Sequence, residues 1–166
     1  MGLPIITLDE CSICLTARMK KIWAVRGTKP IGFVRYSIKR THIIGAFSDN
    51  ILIIDYADRV NSEKIIEFLD NLKFYYKKFV LVMDNAGWHR SKEIKNYLEM
   101  NQDKILAEYL PPYSPELNPT ETCWRLIRRN VLDSTLFNDL MELKLGINKF
   151  IKSYNWNINM SNYLCR

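Results

Sequence analysis

Phe79-Val80-Leu81-Val82-Met83-Asp84-Asn85-Ala86-Gly87-Trp88-His89 is an apolar run stopped by an acid and an amide. A continuous apolar run this short, β-branched or aromatic in part, predicts a strand buried on both faces, as in the parallel part of a sheet. Asp84 then leaves the core at the strand's carboxyl end. Ligands gather outside the carboxyl ends of parallel strands, and loops placed there often carry sites. The plainer reading is an Asp that opens a turn. Asn85 and His89 weigh toward a site, because polar groups concentrated at a strand end are costly to keep for packing alone.

Working outward, residues 51–56, 41–48, 31–37 and 4–16 supply strand candidates before this run, the last containing Asp9. Asn61 or Ser62 caps a helix whose Ile65, Ile66, Phe68, Leu69 and Leu72 fall at helical spacing. After it, Ser91 caps a second helix, Lys104 to Leu110 forms a strand, and a Pro-rich loop covers 111–119. Asn118 caps the next helix with Pro119 in its first turn. A last helix is expected from Phe137 to Tyr154, and the Asn-rich tail from 155 is left unassigned. Strands first, then alternating helix and strand, then helices, predict an α/β fold. Its mixed sheet has antiparallel early strands, parallel later ones and flanking helices.

Three carboxylates can meet in such a fold. Asp84 ends a strand and Glu121 starts a helix. Asp9 lies mid-strand, where burial without a cation is expensive. Together they make an oxygen-donor set for two divalent ions, the arrangement many enzymes use to cut and join phosphodiesters. Each acid has a plainer role open to it. Asn118-x-x-Glu121 fits a capping box. Asp9 could face solvent, and spacing alone does not choose between it and Glu10 on the opposite face of the strand. Glu121, Arg125 and Arg128 share one helix face by spacing, suited either to a phosphate backbone or to solvated salt bridges.

Composition narrows the partners. The chain has 166 residues, 48% of them hydrophobic and 25% charged, which fits one folded domain. It has no apolar run long enough to span a membrane and no signal-peptide pattern at its start. The net charge of +6 favours a polyanion. Arg18 to Lys29, with Arg35, Lys39 and Arg40, form a candidate DNA track, the alternative being a solvated basic turn. Of four cysteines, Cys11 and Cys14 tempt a zinc reading, but His42 and His89 form no ligand-like pair. An odd separation on a strand also points Cys11 and Cys14 to opposite faces. Buried free thiols in a reducing compartment are therefore expected.

The motifs resemble those of the mariner superfamily of DDE transposases, in its insertion-sequence branch. The matching residues are Leu8-Asp9-Glu10, Trp23 with Gly27 and Pro30, Gly45-Ala46, Met83-Asp84-Asn85-Ala86 with His89, and Pro111-Pro112-Tyr113-Ser114-Pro115-Glu116-Leu117-Asn118-Pro119 with Glu121 and Trp124. They extend over about residues 5 to 150.

The resemblance implies an RNase H-like fold with a mixed five-stranded sheet, and a catalytic, metal-binding triad of Asp9, Asp84 and Glu121. It implies Mg²⁺ or Mn²⁺, two ions, and cleavage and transfer of double-stranded DNA at element ends and target, with TA as the target dinucleotide. Asn85, His89, Arg125 and Arg128 become candidates for supporting the triad or touching DNA, with a structural role open to Asn85 and His89. Such transposases carry N-terminal helix-turn-helix modules. Here residues 1–166 are expected to be the catalytic domain alone, with that region absent, acting in the cytoplasm at the nucleoid and away from membranes. A homodimer and a separate DNA-binding polypeptide both stay open as partners. Two rival functions remain: another RNase H-like nuclease, and a non-catalytic remnant that binds DNA or a full-length transposase.

Overall fold

The computed structural model of the protein describes residues 2–15, 23–29 and 37–164. Among these, five strands form one sheet in the order β3-β2-β1-β4-β5. The strands are β1 (Ile5–Cys14), β2 (Arg40–Ser48), β3 (Ile51–Ala57), β4 (Phe79–Met83) and β5 (Ile105–Tyr109). β1, β2 and β3 pair antiparallel, while β4 runs parallel to both β1 and β5. This is the mixed sheet the sequence predicts. The strand expected over 31–37 lies, apart from Ser37, outside the described residues, as do Arg18, Lys20, Lys21, Arg35 and Cys165.

The helices are α1 (Ser62–Tyr75), α2 (Lys92–Met100), α3 (Pro119–Ile127), α4 (Leu140–Ser153) and α5 (Ser161–Leu164). Asn61 caps α1 by accepting the Lys64 amide, and Ser91 caps α2 by accepting that of Ile94. The last long helix starts later than its apolar stripe suggests. Asp139 accepts the Glu142 amide and so sets the start at Leu140, leaving Phe137 and Asn138 ahead of the cap.

Each sheet face has its own core. Ile6 and Leu8 of β1 join Ile65, Phe68 and Leu69 of α1 and Ile94 of α2. On the other face Cys11 and Ile13 pack with Cys123, Trp124 and Ile127 of α3 and Leu143 of α4. The period-two alternation of a strand makes this division. It also separates Cys11, which is buried, from Cys14, which is exposed. Trp156 in the unassigned tail is buried too, closing the second core beside Phe47. Phe79, Leu81 and Met83 of β4 are wholly buried, as a central parallel strand requires.

Candidate active site

β1 and β4 run together only briefly. Their last pair is Thr7 with Val82. Two residues further along each strand come Asp9 and Asp84. There β4 ends, while β1 continues alongside β2 to Cys14. The sheet therefore opens at the level of both acids, and a cavity of about 400 Å³ lies in the opening. Asp9, Asp84 and Glu121 all line it.

Small polar residues bring Glu121 there. The Thr120 hydroxyl donates to the Thr7 carbonyl (2.9 Å) and lies 2.8 Å from the Thr7 hydroxyl. The Asn118 side-chain amide donates to the Leu8 carbonyl (3.4 Å), while its oxygen accepts the Thr120 amide and caps α3. Thr7 and Thr120 are fully buried, so these bonds fasten the helix start to β1 away from water. The backbone amide of Asn118 donates to the Pro115 carbonyl (3.0 Å). No capping box closes on Glu121, and its carboxylate stays with the cavity. Glu116 lies in the short 3-10 turn Pro115–Leu117 and is exposed.

Asp9 is held by one turn further of α3. The Trp124 indole N–H donates to its Oδ2 at 2.9 Å. The indole reaches across β2 because Gly45, the cross-strand partner of Asp9, has no side chain. A Cβ on Gly45 would stand 2.4 Å from the far edge of the Trp124 ring. That ring is rigid and 1% exposed, so it has little room to yield. Gly45→Ala should cost about 1–3 kcal/mol through overpacking. Denaturant melts should show the loss together with a changed tryptophan fluorescence. A variant as stable as wild type would mean the indole is not locked over Gly45.

The electrostatics of Asp9 reflect crowding. Burial, then the nearby charges of Glu121 and Glu10, push its pKa up to about 7, although the Trp124 hydrogen bond works the other way. Asp84 behaves oppositely. Its hydrogen bond from His89 holds its pKa below the usual value despite partial burial.

His89 is fully buried. Its Nδ1 lies 2.7 Å from Asp84 Oδ1 and its Nε2 lies 2.9 Å from Glu10 Oε1. Burial alone would lower its pKa, but the bonds to the two carboxylates outweigh burial and raise it to about 9. The ring is enclosed between Asp84 and Glu10 and backs Asp84. Asn85 donates to the Leu110 carbonyl (2.6 Å) and accepts from Arg90, tying the exit of β4 to the start of the Pro-rich loop.

The two α3 arginines part company. Arg125 is exposed and donates to Thr122, whereas Arg128 turns to Cys11 Sγ at 2.9 Å. α3 ends at Ile127 and passes into a π-helical turn, Arg128–Leu132, with Arg128 itself still in α-helical backbone geometry. Of the basic track, Arg26, Lys29, Lys39 and Arg40 are described and exposed.

Thr7, Thr120 and Trp88 were given no role by sequence reasoning, and Glu10 was weighed only as an alternative to Asp9. The alternation of β1, which sends Glu10 to the face opposite Asp9, did not choose between the two acids.

The donors suit hard divalent cations. All three acids offer oxygen, and Asp9 is destabilised by neighbouring carboxylates that a cation would neutralise. Among the described residues no three His, Cys, Asp or Glu side chains cluster tightly enough to enclose one ion. That is compatible with Mg²⁺, which commonly takes one or two carboxylates and completes its shell with water and substrate phosphate.

The family model described as DDE superfamily endonuclease matches residues 4–144. A Sinorhizobium fredii protein, y4pE/y4sA, is 43% identical over 60 residues, covering 36% of this chain and 41% of that protein. The 39 kDa protein of insertion element IS630 from Shigella sonnei is 23% identical over 155 residues, covering 90% of this chain and 45% of that protein. This chain thus spans less than half the length of either relative. The Mos1 transposase paired-end complex with left transposon end has the same fold. Its TM-score is 0.75 at 19% identity, covering 96% of this chain and 51% of that one. The Mos1 mariner paired-end complex with Mg also scores 0.75, at 16% identity, covering 98% and 50%. The fold is therefore RNase H-like, and the chain belongs to the DDE superfamily endonucleases.

Proposed function

We propose that the cleft is the catalytic centre of a DNA transposase domain, which cuts strands at the ends of an insertion element and joins them to target DNA. The observation that carries this reading is the convergence of Asp9, Asp84 and Glu121, from three separate elements, on one cavity. Asp9, Asp84 and Glu121 would hold Mg²⁺ or Mn²⁺, two ions in all. Bound there, the ions supply activation of the attacking oxygen and charge stabilisation at the leaving one.

The protein's own residues do the rest. Trp124 fixes Asp9, the Thr120–Thr7 bonds fix the start of α3 and hence Glu121, and His89 fixes Asp84. The nucleophile is water for nicking and a DNA 3′-hydroxyl for joining. Exposed Arg125, with Arg26, Lys29, Lys39 and Arg40, offers charge to the DNA backbone. The Mos1 structures of this fold include a strand transfer complex and paired-end complexes with Mn and with Mg. Their chemistry supports the reading at the level of fold and family.

A thermal-shift titration tests the metal. Mn²⁺ at about 100 times its dissociation constant should stabilise the wild type by about 2.7 kcal/mol. That is several degrees for a chain of this size. The shift should be smaller in Asp84→Asn. Equal shifts in both proteins would remove Asp84 from the metal site.

A further inference from the structure

Glu10 follows Asp9 and points to the other face of β1, yet it is nearly as buried as a core residue, with its side chain 9% exposed. Both of its oxygens are engaged. Oε1 lies 2.9 Å from His89 Nε2 and Oε2 accepts the Trp88 indole N–H at 3.0 Å. His89 then continues to Asp84 Oδ1 at 2.7 Å. Ionised carboxylate oxygens can only accept, so the ring donates from both nitrogens. The backbone amide of Ala86 donates to the same Oδ1 at 2.9 Å. The Tyr109 hydroxyl donates to the His89 carbonyl at 3.0 Å and fixes the backbone that carries the ring.

We propose that Glu10 is a positioning residue, which acts through His89 to lock Asp84 so that only Oδ2 is left to serve the cleft. The inference rests on the metal reading given above. Asp84 needs such a lock more than the other acids do. Its side chain is half exposed, at 50%, and sits just past the end of β4. A carboxylate there would sample several rotamers, and each ion bound would have to freeze it. Asp9 is held by Trp124 and Glu121 is carried on a helix fastened to β1, while among the described residues the side-chain contacts of Asp84 fall on its Oδ1. Glu10 anchors the far end of that arrangement from the wall of an opening that Asp9, Asp84 and Glu121 also line, with both of its oxygens already engaged. It touches neither cleft ions nor substrate through a free oxygen, so its effect on chemistry is indirect.

Partners that orient a metal ligand typically change affinity or activity by about 10–100-fold when lost. Glu10→Ala should therefore weaken Mn²⁺ binding at least about tenfold by calorimetry without DNA, and slow plasmid nicking at limiting Mn²⁺. Glu10→Gln should restore part of that loss, because its amide oxygen still accepts from His89 Nε2 while its NH2 group cannot accept the Trp88 N–H. A residue that only stabilised the fold would lower the melting temperature and leave the Mn²⁺ affinity of the folded protein unchanged. Glu10→Met, of similar length and without an acceptor, replaces Glu10→Ala if the latter does not fold. Wild-type affinity in Glu10→Ala or Glu10→Met would overturn the proposal, and so would equal weakening in Glu10→Ala and Glu10→Gln. A wild-type protein that takes up no Mn²⁺ would instead overturn the metal reading itself.

Discussion

Asp9→Asn should make the metal-free protein more stable at neutral pH while abolishing its metal-dependent cleavage. The wild-type carboxyl has its pKa raised from 3.8 to about 7, mainly by burial and then by Glu121 and Glu10. Ionising it in the fold is thus penalised by up to about 4 kcal/mol at pH values above 7, taking about 1.4 kcal/mol per unit. Asn is neutral, nearly isosteric, and still accepts the Trp124 N–H through its oxygen, so it escapes the penalty and keeps the contact. Urea melts in EDTA at pH 7.5 should show the gain. An Asp9→Asn variant less stable than wild type by the same margin at every pH would mean that Asp9 is an ordinary, satisfied core carboxylate.

The same shift sets a pH dependence. Between the unfolded pKa near 3.8 and the folded value near 7, the native state keeps a proton that the unfolded chain has lost. Stability of the metal-free protein therefore falls as pH rises through that window. His89, raised to about 9, contributes stability that is complete below 6.5 and is lost as pH rises toward 9. The two slopes have the same sign, so metal-free wild type should weaken from about pH 4 to pH 9. Asp9→Asn should flatten only the lower part. Asp84 works in the acid range, where its depressed pKa means that stability is lost as pH falls below the ordinary carboxylate value.

Much of this fold can be read from single residues. Phe79 to Met83 could be assigned as a central strand because nothing polar interrupts it. Asn61, Ser91 and Asn118 marked helix starts because their side chains replace missing backbone acceptors. The start of α4 was harder, since Phe137 continues the apolar pattern while the cap at Asp139 decides the boundary. Positions 9, 84 and 121 stood out through their motifs, and the fold places all three at one cavity. What joins them was not legible. Thr7 and Thr120 are unremarkable strand and helix residues until their hydroxyls meet across more than a hundred positions. Gly45 is informative only once Trp124 is known to lie over it. Alternation left the choice between Asp9 and Glu10 open and gave no hint of the Glu10–His89 contact, because period two describes a strand and not the loop after β4 that brings His89 to the face of Glu10. The Arg128 contact with Cys11 Sγ was likewise hidden, since it joins residues 117 positions apart.

The most direct measurement is relaxation of supercoiled plasmid with Mn²⁺ by wild type, Glu121→Gln and Glu116→Gln. Glu121 lines the cavity and closes no capping box, since the Asn118 amide is bound to Pro115. Glu121→Gln should therefore fold with nearly wild-type stability. It loses a charged ligand whose contribution through the metal amounts to several kcal/mol, which is about a hundredfold or more in rate. Glu116 is exposed on the loop, and Glu116→Gln should lose only part of the activity. The account predicts nicking by wild type that EDTA abolishes, reduced nicking by Glu116→Gln, and none detectable with Glu121→Gln. An active Glu121→Gln beside an inactive Glu116→Gln would contradict it.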